Sequence, residues 1–95
     1  MVPTTVLLEA EWVLRTTYRL RPPKIVRGFR VLTALPGVAA DEPDRVDLAL
    51  DLATGGMDLA DAFHLAATPA GGAFLTFDRA LIRRAAARGL EAREP

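Results

Sequence analysis

The stretch Ala73-Phe74-Leu75-Thr76-Phe77-Asp78 decides the fold class of this chain. It is a short apolar run with the aromatic and β-branched content of a buried strand, entered from the turn residues Pro69, Gly71 and Gly72 and ended by Asp78. On its far side Arg79 to Arg88 reads as a helix closed by Gly89, and Leu90 to Arg93 reads as a second short strand. A strand, a helix and a strand in that order indicate α/β layering.

Upstream of this unit the pattern is helical. Thr4 to Arg19 reads as a helix with Thr4 or Thr5 as N-cap, and Leu7, Leu14 and Tyr18 form one stripe along it. Val6, Leu8, Trp12 and Val13 cover most of the remaining surface, so burial on more than one side is expected and Glu9, set among them, needs a partner. Pro22 and Pro23 open a second helix through Ile25, Val26, Phe29, Leu32 and Leu35, which Pro36 and Gly37 end. Val38 to Ala40 fits a short strand. Asp41 is placed to cap a third helix that carries Val46, Leu48, Ala49, Leu50 and Leu52 to the Gly55-Gly56 stop, and a fourth helix runs from Asp58 to about Thr68. No internal repeat or linker interrupts the 95 residues, which read as a single domain.

Composition narrows the class of function. With 51% apolar and 25% charged residues, the chain is of the globular kind, and the absence of cysteine excludes disulfides and thiolate metal sites. No apolar run approaches a membrane span and no signal-peptide pattern precedes Thr4, so a cytoplasmic protein without membrane contact is expected. The net charge is zero, but the charges are sorted. Between Trp12 and Ala40 the cations Arg15, Arg19, Arg21, Lys24, Arg27 and Arg30 meet no acid, whereas Asp41 to Asp61 holds seven acids against Arg45. Such a division suits a protein that attracts a phosphate backbone and holds divalent cations.

Four acids stand out beyond charge patterning. Asp58 and Asp61 share one face of the fourth helix; Asp58 follows two glycines where an N-cap belongs, while Asp61 sits among Leu59, Ala60, Ala62, Phe63 and Leu65. Asp78 stands at the carboxyl end of the strand, where open α/β sheets gather their ligands, and is also placed to cap the next helix. Glu9 is the fourth. His64, the sole histidine, has no serine or cysteine partner and reads as a hydrogen-bonded structural residue.

The segments Leu7-Leu8-Glu9-Ala10-Glu11-Trp12-Val13-Leu14-Arg15, Asp58-Leu59-Ala60-Asp61-Ala62-Phe63-His64-Leu65-Ala66 and Phe74-Leu75-Thr76-Phe77-Asp78 resemble, in order, the successive motifs of PIN-domain ribonucleases of the VapC toxin kind. The resemblance covers Pro3 to Arg93 and implies an α/β/α sandwich on a short parallel sheet. It implies metal-dependent cleavage of RNA, a cognate antitoxin protein as partner, and frequent homodimers. By position it makes Glu9, Asp61 and Asp78 catalytic ligands of Mg²⁺ or Mn²⁺, with Asp58 as an accessory ligand and Glu11 structural. Hard cations of this kind take carboxylate oxygens, and a self-repelling ring of acids should show raised pKa values without metal. Arg15, Arg19, Lys24 and Arg27 are expected to bind the RNA backbone.

PIN domains begin with a strand that bears a further aspartate, and nothing before Pro3 supplies it. The chain is therefore expected to lack the central strand of the family's sheet. By itself it should be inactive as a nuclease and associate, and an N-terminally extended form is where Glu9→Gln, Asp61→Asn or Asp78→Asn should each abolish Mg²⁺-dependent cleavage. The alternative expectation is a catalytically inactive PIN remnant that serves as an antitoxin-binding module.

Overall fold

The computed structural model describes residues 1–69 and 71–95; Ala70, in the loop before the strand at Phe74, lies outside the described residues. Five helices are present: α1 (Thr4–Thr16), α2 (Pro22–Ala34), α3 (Pro43–Thr54), α4 (Leu59–Ala66) and α5 (Arg79–Ala87). Strands β1 (Phe74–Leu75) and β2 (Ala92–Arg93) flank α5 and pair in parallel, Phe74 opposite Ala92 and Leu75 opposite Arg93. The protein is thus mixed α/β and mostly helical, with a two-stranded parallel sheet. The strand expected at Val38 to Ala40 is a single parallel bridge, in which the Val2 N–H donates to the Ala39 carbonyl at 2.7 Å and the Asp41 N–H donates to the Val2 carbonyl at 2.8 Å.

The helix boundaries follow the punctuation in the sequence. Pro22 and Pro23 occupy the first positions of α2, where a missing N–H costs nothing, and Pro43 does the same in α3. Asp41 does not cap α3; the capping position falls to Glu42, held left-handed at φ 52° with no side-chain cap. Nor does a threonine cap α1, which starts directly after Pro3.

The core is built mainly by α3 and α4, which pack most extensively, with α1 and α2 laid against them. Val46, Ala49, Leu50 and Leu52 of α3 meet Leu59, Ala62, Phe63 and Leu65 of α4, joined by Leu7, Ile25, Phe29, Leu81 and Ala92. Arg84 of α5 donates to the Gly56 carbonyl at 2.9 Å and ties the βαβ unit to the α3–α4 turn.

Two expectations of burial fail. Of the residues of α1 only Leu7 and Glu11 are buried, while Trp12 is 59% exposed and Val6 and Val13 face outward with it. The apolar run at β1 is also not a buried strand: Leu75 is exposed and Phe77 is 79% exposed. The cause is the same in both places. A strand paired on one edge and a helix packed on one side each bury a single face, so the opposite apolar positions remain in water.

Candidate functional site

The N-termini of α4 and α5 bring three aspartates into one electrostatic neighbourhood. Asp58 caps α4, its Oδ1 accepting the Asp61 N–H at 3.1 Å, and Asp78 caps α5, its Oδ1 accepting the Leu81 N–H at 3.1 Å. Capping is local, because a side-chain oxygen reaches an orphan N–H three residues ahead. The Asp78 N–H in turn donates to Thr76 Oγ1 at 3.1 Å, which fixes the entry into α5. Each capping carboxylate retains a second oxygen.

Asp61, half-buried in the first turn of α4, feels the charge of both. Burial raises its carboxyl above 3.8, and the negative charges of Asp58 and then Asp78 raise it further, while His64 acts in the opposite sense. Desolvation and like charge both disfavour the ionised acid. The shift at Asp61 comes first from its own burial and only then from its acidic neighbours, so it is not by itself the mark of a carboxylate ring. A cation near this corner would relieve the repulsion.

The remaining site expectations fall elsewhere. Glu9 is exposed on the outward face of α1, where it lines two shallow grooves with Leu8, Trp12 and Val13 on one side and Val6, Ala10 and Leu14 on the other. It is not among the groups that shift Asp61. Among the described residues no group of three or more acidic or histidine side chains stands in position to hold a metal ion. The donor chemistry of the three aspartates suits a hard cation, but their placement does not form a cage, and no chemical step is routed through one.

His64 is exposed and makes no side-chain hydrogen bond among the described residues, so the expectation of a bonded structural histidine is not met. Arg19, Lys24 and Arg27 are exposed, Arg19 with a left-handed φ of 54°. Arg15 is engaged: its Nε donates to Glu11 Oε1 at 2.7 Å, and this bond and charge raise its pKa, with a smaller contribution from Asp58. Glu11, 3% exposed, is the buried charge among the described residues and a group to which the sequence assigned only a structural role. Its signal was the i,i+4 spacing of Glu11 and Arg15.

Compared with protein-family models, with curated proteins and with solved structures, the chain matches none.

Proposed function

We propose that the chain is PIN-like, of the VapC kind, and that its aspartate corner is the metal-binding part of an RNA-cleaving site. The observation that supports this reading is that Asp58 and Asp78, capping two helix N-termini, both act electrostatically on Asp61, which is held above its ordinary value. When bound, Mg²⁺ or Mn²⁺ would supply an activated water and charge neutralisation at phosphorus. The chain's own contribution is positional. Backbone N–H groups of α4 and α5 fix one oxygen each of Asp58 and Asp78, leaving the second oxygens and Asp61 available. The exposed cations Arg19, Lys24 and Arg27 would hold the RNA backbone.

Paramagnetic Mn²⁺ tests the reading independently of turnover. Substoichiometric Mn²⁺ should broaden the amide signals of Asp58, Asp61 and Asp78 before all others, and Asp61→Asn should remove that selectivity. Uniform broadening, or broadening centred on the acids of α3, would contradict it.

A second reading, a non-catalytic PIN-like remnant that binds an antitoxin, is favoured by the position of Glu9 on an exposed apolar face away from the aspartates. Selective Mn²⁺ broadening counts against it. Its absence from a folded chain counts for it.

A further inference from the structure

The turn between α1 and α2, residues 17–21, holds a backbone conformation that usually calls for glycine. Arg19 sits at φ 54°, in the left-handed region where a side chain is strained. Backbone bonds on either side lock it there: the Tyr18 N–H donates to the Val13 carbonyl at 3.3 Å and the Leu20 N–H donates to the Leu14 carbonyl at 3.0 Å. The other non-glycine residue with positive φ among the described residues is Glu42, whose Oε2 accepts from Arg45 Nη1 at 3.1 Å. Arg19 has no ion pair or side-chain hydrogen bond among the described residues. A strained residue that persists without an internal partner points to a use outside the fold.

The same turn displays an aromatic ring. Leu20 packs on the core, while Tyr18 is 67% exposed and takes no part in it. The exposed cations Arg19, Arg21 and Lys24 follow Tyr18 in sequence, and none of them is paired with an acid among the described residues. An exposed ring beside free cations is the combination that recognises single-stranded nucleic acid, because the ring stacks on a base while the cations hold its phosphates. Acidic side chains of a peptide would answer the cations alone and leave the ring uncovered.

The turn also lies toward the aspartate corner. α1 packs against α4, and the charge of Asp58, the cap of α4, reaches Arg15 in the last turn of α1.

We propose, resting on the RNA-cleaving reading above, that Tyr18 and Arg19 form the subsite that sets its specificity for single strands. An unpaired base stacks on the Tyr18 ring, and Arg19, Arg21 and Lys24 hold the flanking phosphates. Duplex RNA, whose bases are already stacked, finds no place on the ring.

Binding of a short unstructured oligoribonucleotide carrying 2-aminopurine, measured in EDTA so that no metal is needed, tests the subsite with the full chain. The parent should bind and quench the 2-aminopurine. Tyr18→Ala should keep the circular dichroism spectrum, lose the quenching and weaken binding about tenfold. Tyr18→Trp should restore both, and Tyr18→Leu neither. Arg19→Gly should raise the urea midpoint by relieving the left-handed strain, yet lower the salt dependence of binding by about one unit of slope. The proposal is overturned if Tyr18→Ala binds and quenches like the parent, or if Tyr18→Leu serves as well as Tyr18→Trp. It is overturned equally if a duplex of the same sequence binds as tightly, if polyglutamate displaces the oligoribonucleotide at equal charge, or if Phe77→Ala abolishes the quenching and Tyr18→Ala does not. Selective Mn²⁺ broadening at the aspartates together with an indifferent Tyr18 would sink this subsite alone, whereas quenching by Tyr18 without that broadening would sink the metal reading alone.

Discussion

The two apolar surfaces of this molecule have opposite fates. The facing sides of α3 and α4 are closed over completely, with Ala49, Leu50 and Ala62 at 0% exposure, while Val6, Trp12 and Val13 on the outer side of α1 stand in water. Apolar composition therefore does not decide burial; what decides it is whether a second element lies opposite. The polar groups divide along the same line. In the α3–α4–α5 half, Asp58 and Asp78 are bonded to backbone N–H groups, whereas Glu9 on α1 makes no such bond among the described residues.

The sharpest break of this comparison is a matched pair of truncations. Leu50→Ala removes a fully enclosed side chain and should cost about 2–5 kcal/mol in urea unfolding. Val6→Ala on the outer face of α1 should stay within about 0.5 kcal/mol, measured at concentrations where the chain is monomeric. Similar costs at both positions would mean that the two faces are not distinct.

The next largest effect is expected at Glu11, the buried charge among the described residues. Arg15→Met leaves Glu11 without its 2.7 Å partner and should lower the urea midpoint, because a buried carboxylate loses its hydrogen bond. Adding Glu11→Met should recover most of that loss, since removing both charges leaves no orphan. A double variant as unstable as the single one would show that packing, and not charge, sets the cost.

Much of the chain was legible for reasons that are local. Pro22, Pro43 and the Gly55-Gly56 pair mark helix ends through backbone chemistry alone, and the caps at Asp58 and Asp78 act over three residues. The face of α1 was not legible. Apolar residues surround it, so the periodicity does not choose a side, and Glu9 and Glu11, about 200° apart on the helix, exchange roles with that choice. The structure buries the side of Leu7 and Glu11. A PIN-like sandwich was likewise an inference from motif order, and the described residues form a sheet of only two strands.

The caps offer a smaller effect. Asp58→Ala or Asp78→Ala should each cost about 1 kcal/mol of unfolding free energy, while the Asn variants keep an acceptor oxygen and should cost much less. Equal losses for Ala and Asn would assign the stabilisation to charge.

Asp61 should behave in the opposite sense. Its folded carboxyl is raised, so the folded chain retains a proton that the unfolded chain has released, and ionisation costs stability above the folded value. Asp61→Asn should therefore raise the melting temperature slightly at neutral pH, an advantage that disappears as pH falls below 3.8. A variant less stable than the parent at neutral pH would indicate that the α4 dipole outweighs the neighbouring acids.

The central proposal, that Asp58, Asp61 and Asp78 act as one electrostatic unit to which a cation is drawn, is tested most directly by following the Asp61 carboxyl carbon by NMR through a pH titration with and without Mg²⁺. Asp61 should titrate above 3.8 in the free chain, fall when Asp78→Asn removes a neighbouring charge, and fall when Mg²⁺ is added. An Asp61 that titrates at or below 3.8 and responds to neither change would contradict the account.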